Sequence, residues 1–157
     1  MPGSKHGPNK LSNYREVHST WMHRLRAEGF VLDDGVEFQL FGAGYIVLAG
    51  RIECVAGICV DVWKVLRVDG KGASALVQTI EYSYNATITG LGNILRYDSP
   101  HDSHRLHHHV HHYDVLAGDR DGTVEDTSDT DWPTLGEVLE ELRDWYYTNF
   151  DRLPRSS

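Results

Sequence analysis

Gly44-Tyr45-Ile46-Val47-Leu48-Ala49-Gly50-Arg51-Ile52-Glu53-Cys54, followed after Val55-Ala56-Gly57 by Ile58-Cys59-Val60-Asp61-Val62-Trp63-Lys64-Val65-Leu66-Arg67-Val68, decides the fold class. Both runs are rich in the β-branched and aromatic residues that suit a pleated, half-buried surface, and Ala56-Gly57 between them is a tight-turn signal. A third run, Ala75 to Ala86, lies beyond Asp69-Gly70-Lys71-Gly72. Asn93 to Asp98 follows the turn Thr89-Gly90-Leu91-Gly92, and the segment through Tyr113 can supply a fifth strand. The pattern predicts an antiparallel meander of about five strands.

Outward from the meander, both flanks read as helix. Tyr14, Val17, Trp21, Met22 and Leu25 recur at helical spacing from Ser12, with Gly29 as a stop. Thr134 and Glu137 fit a capping box ahead of the apolar stripe Leu135, Val138, Leu139, Leu142, Trp145 and Tyr146. Phe30 to Gly44 reads as irregular and Gly118 to Asp131 as an acidic loop. The expectation is one α+β domain over residues 11–150, the N- and C-terminal helices packed on the sheet, with residues 1–10 a flexible tail and 151–157 a second tail.

A chain of 157 residues, 40% hydrophobic and 24% charged, is long enough for one real core and too apolar for wholesale disorder. No apolar run approaches the roughly 20 residues that cross a bilayer, and the first ten residues lack a signal-peptide core, so a cytoplasmic protein without a membrane partner is expected. Between Ala117 and Trp145 ten acids face only Arg120 and Arg143, a segment that carries the whole net charge of −8. Such a balance argues against a broad phosphate-binding surface but allows a local cationic site. Cys54 and Cys59 flank the first turn; without a secretory signal, reduced and buried thiols are expected, and there are too few cysteines for a zinc knot.

Chemistry concentrates in one stretch. Seven of the ten histidines fall between His101 and His112, just after Arg96-Tyr97-Asp98-Ser99-Pro100. Imidazole is the side chain that serves as acid, base or metal ligand near neutral pH. On an extended strand His107, His109 and His111 point one way and His108, Val110 and His112 the other; on a helix His104, His107, His108 and His111 would share a face. Strand context favours the first. Arg96 and Asp98 share a face of the preceding strand, where burial without partners would be costly. Three chemistries fit: metal-free cleavage of RNA, a divalent metal such as zinc held by His107, His109, His111 and Asp98, and a non-catalytic histidine-rich surface. For RNA the wider set of substrate contacts would be Lys64, Tyr84 and Arg105.

The order of Tyr82-Ser83-Tyr84, Arg96-Tyr97-Asp98-Ser99-Pro100-His101, His108-His109-Val110-His111 and a Thr-Leu-x-Glu-Val-Leu helix resembles the TumE family of toxins from bacterial toxin–antitoxin pairs, over roughly residues 45–150. The resemblance implies a cytoplasmic toxin neutralised by a cognate antitoxin, with ribonuclease action on RNA as the activity. It implies no cofactor and no particular oligomeric state. In that reading Arg96 binds phosphate, His109 and His111 are acid and base, and Tyr97, Asp98 and His101 position them. Ser99 stands where the family has asparagine and Val110 where it has lysine, which removes a phosphate contact and admits an inactivated relative. The alternative is a metal-binding or protein-interaction module without catalysis.

Overall fold

The computed structural model describes residues 5–100 and 107–154. Its centre is the meander: β4 (Tyr45–Cys54), β5 (Ile58–Asp69), β6 (Leu76–Ile88), β7 (Gly92–Asp98), β8 (His109–His112) and β9 (Thr123–Asp126) lie side by side and antiparallel. Three short strands complete a nine-stranded sheet among the described residues. β2 (Val31–Asp34) and β3 (Glu37–Leu40) pair with β4, and β1 (Asn9–Lys10) pairs with β6. Two helices, α1 (Leu11–Ala27) and α2 (Leu135–Thr148), complete the α+β architecture. None is long and apolar enough to cross a membrane.

Strand alternation separates two faces. Ile52, Val60, Val62, Tyr84, Ala86, Leu95, Tyr97 and Val110 share a buried cluster with Met22 and Leu25 of α1 and Val138, Leu139 and Leu142 of α2. Burying side chains of this size stabilises by about 1.5–3 kcal/mol each, which is why the apolar stripes of the two helices turn inward. The helices also meet each other: a Cβ on Gly136 would lie 2.4 Å from the Trp21 ring, so only glycine allows that approach. The capping box at the start of α2 is present, with Thr134 Oγ1 accepting from the Glu137 backbone and the Glu137 carboxylate accepting from the Thr134 backbone.

Several expectations change. The meander has six strands rather than about five, because Thr123–Asp126 inside the expected acidic loop pairs with β8. Phe30 to Gly44, expected as irregular, holds β2 and β3; each has only four residues, too few to show alternation. Val17, expected on the buried stripe of α1, is 57% exposed. Residues 5–10, expected within a loose tail, are tied down. His6 stacks on Trp132 at 3.2 Å between centroids and donates from Nε2 to the Trp132 carbonyl at 2.6 Å, and Lys5 pairs with Asp131 and Glu137. Cys59 sits opposite Glu53. That register puts the two thiols on different faces of the sheet, so both are free, and burial pushes the Cys54 thiol up to about 12.

Candidate functional site

The site is assembled by cross-strand register on the face away from the large core cluster. Asn85, Arg96 and His111 form one row across β6, β7 and β8, and Ser83, Asp98 and His109 form the next. A bulge in the β6–β7 pairing at Ala86/Thr87 lets both Ile94 and Leu95 reach the core. It does not disturb the alternation beyond, so Arg96 and Asp98 share the opposite face.

Asp98 is the hub. Its carboxylate, 2% exposed, accepts from Arg96 Nε at 2.9–3.0 Å. His109 Nε2 lies 3.6 Å and His111 Nε2 3.9 Å from Asp98 Oδ2. One ligand atom from each of Asp98, His109 and His111 lies within 4.8 Å of the others. His109 Nδ1 donates to the His107 carbonyl at 3.0 Å, which turns the Nε2 side of the ring toward Asp98. The exposures differ. The His109 side chain is 1% exposed, while that of His111 is 25% and that of Arg96 43%, so the last two form the accessible edge.

The remaining expected site residues fall elsewhere. His107 does not join the cluster: it lies outside β8, is exposed, and its ring binds Asp129 at 2.8 Å, which raises its pKa. Tyr97 points to the helix face, away from His109 and His111, and donates to Glu141 at 2.6 Å. Lys64 and Tyr84 belong to the helix-covered face, across the sheet from Arg96. His101 and Arg105 lie outside the described residues. His108 and His112 also face the helix side, as alternation expects. His108 Nδ1 is 2.8 Å from Tyr82 Oη, and burial lowers its pKa. His112 is bound by Glu141 and Glu125, which raises its pKa.

No family model, curated protein or solved structure matches this chain. The functional reading therefore rests on the arrangement of these side chains and on the Arg-Tyr-Asp and histidine motifs. One residue that reading had omitted is Asn85. Its Oδ1 is buried without a hydrogen-bond partner, in the row of Arg96 and His111. Asparagine is depleted in strands, so its place in a strand of tyrosines and isoleucines was the signal available.

A second group of side chains forms a ring column at the same end of the sheet. His6, Trp132, Tyr82 and His108 lie near-parallel, with interplanar angles of 9–15° for the Trp132–Tyr82, Trp132–His108 and Tyr82–His108 pairs. The column lines a cleft with Ser99, Pro100 and Asp129.

Proposed function

We propose that the protein is a TumE-like toxin acting on RNA, and that its chemistry is metal-independent cleavage of a phosphodiester at the Arg96–His111 edge. The observation that carries this reading is the pairing of an accessible guanidinium with an accessible imidazole on one buried carboxylate. His111 takes the proton from a ribose 2′-hydroxyl as that oxygen attacks phosphorus, and returns it to the departing 5′-oxygen. Arg96 neutralises the charge that develops on the phosphorane oxygens. Asp98 and His109, both buried, hold these two groups in place and touch no substrate, a change from the expected role of His109 as acid or base.

The test is induction of the chain in a bacterium, with growth and total RNA followed. Wild type arrests growth and shortens RNA; Arg96→Ala and His111→Ala do neither while keeping the wild-type circular dichroism spectrum. Arrest unchanged in both variants overturns the assignment. A neighbouring open reading frame whose product restores growth would supply the antitoxin.

A second reading, divalent metal binding at Asp98, His109 and His111, is favoured by the closeness of their ligand atoms, one from each lying within 4.8 Å of the others. Against it, Arg96 Nε occupies the same Asp98 oxygen that an ion would need. Stoichiometric zinc in the purified protein, lost in His109→Ala and His111→Ala, would favour the metal.

A further inference from the structure

A cavity of about 360 Å³ opens between α1, the start of α2 and the sheet. Tyr14, Val17, Trp21, Met22, Leu48 and Leu135 give it a largely apolar lining. Lys64 projects from β5 into this lining, 3% exposed. Its neighbours there are aromatic: Nζ lies 5.0 Å from the centre of the Tyr14 ring and 5.9 Å from that of Tyr84. No carboxylate of the described residues pairs with it. The cationic and acidic groups at the mouth are already committed, Lys5 to Asp131 and Glu137, and His18 to Asp34 at 3.0 Å.

A buried ammonium without a counter-charge is costly, and two tyrosine faces offset only part of that. A lysine side chain is rarely placed in such a position by packing, since leucine or methionine fills the same space without the charge. We infer that this cavity binds a small apolar monocarboxylate, whose carboxylate pairs with Lys64 and whose hydrocarbon body fills the space against Trp21, Met22 and Leu48. The site is independent of the Arg96–His111 edge, which lies on the other face of the sheet. It would give the protein a small-molecule input separate from its RNA chemistry.

Burial lowers the Lys64 pKa to about 7, so an entering carboxylate draws a proton onto an amine that is largely neutral at pH 8. Other titratable groups line the cavity too. Tyr14 is pushed above the ordinary phenol range by burial, Lys5 pairs with Glu137, and His18 Nε2 lies 3.0 Å from Asp34. His6, which lies nearby, is lowered to about 4 by its burial and stays neutral.

Isothermal titration calorimetry of the full chain with octanoate and with 1-octanol tests the inference. Octanoate is expected to bind at least about tenfold tighter than octanol, and to take up protons at pH 8, measured by comparing buffers of different ionisation enthalpy. In Lys64→Met that preference is expected to vanish along with the proton uptake, while octanol binding remains. Lys64→Arg, which keeps the charge, retains the preference. Octanoate binding no tighter than octanol in the wild type overturns the inference without recourse to any variant, as does an unchanged preference in folded Lys64→Met. Loss of the preference in Lys64→Met with RNA cleavage intact separates this site from the proposed activity.

Discussion

Asp98 and Lys64 sit on opposite faces of the same sheet, each almost wholly removed from water, and their surroundings treat them oppositely. Asp98 has a guanidinium at 2.9 Å and two imidazoles within 4 Å. Lys64 has two aromatic rings and a cavity. A charge with partners is a fixed part of the fold, whereas a charge without them depends on what enters beside it. The two faces therefore differ in kind: one holds its electrostatics internally, the other leaves them to be completed.

The widest separation between the faces should come from activity. His111→Ala is expected to reduce RNA cleavage by about a hundredfold or more with the melting temperature little changed. Arg96→Ala should reduce it as far but also lower the melting temperature, because it leaves the Asp98 carboxylate buried without its guanidinium, while Lys64→Met leaves cleavage near wild type. Equal losses from both faces in an RNA cleavage assay would break the comparison. Next in size is Asp98→Ala. It removes the buried carboxylate that Arg96 binds, with an expected loss of about 2–4 kcal/mol by urea denaturation, held below the fully buried limit because Arg96 is 43% exposed.

Lys64→Met should move stability the other way, raising it by about 1–3 kcal/mol at pH 7. The sign follows from linkage: the folded pKa, about 7, lies below the ordinary 10.5, so wild-type stability rises as pH climbs through that window. The advantage of methionine should accordingly shrink between about pH 7 and 10.5, which thermal melts at several pH values would show. The smallest effect sharpens the contrast with a third buried group. His6 is paired with no charge; it stays neutral, stacked on Trp132, because burial lowers its pKa to about 4. Its contribution is present above about pH 6.5 and lost as pH falls toward 4, on the order of 2 kcal/mol. In His6→Phe the acid-induced change in Trp132 fluorescence should disappear.

The sheet was largely legible because β4 to β7 are long enough for alternation to show, and the same alternation correctly divides His109 and His111 from His108, Val110 and His112. It also puts Lys64 in phase with Val62 and Leu66, residues of the core face, so its separation from Arg96 could have been read from β5 and the register alone. What the sequence hid is of two kinds. The four-residue strands Val31–Asp34, Glu37–Leu40 and Thr123–Asp126 owe their conformation to neighbours rather than to their own composition. The burial of His109 depends on what covers it, which periodicity does not encode. His107 was misplaced for a related reason: it falls outside β8, where Asp129, a residue 22 positions on, decides its direction.

The ring column ties His6 to Trp132 across 126 positions of chain. During synthesis, His6 leaves the ribosome long before the indole that receives it, and Lys5 waits likewise for Asp131 and Glu137. Contacts so remote in sequence close slowly, after the local hairpins have formed. The wall of the Lys64 cavity contributed by Thr134, Leu135 and Gly136 thus leans on pairings between the two ends of the chain.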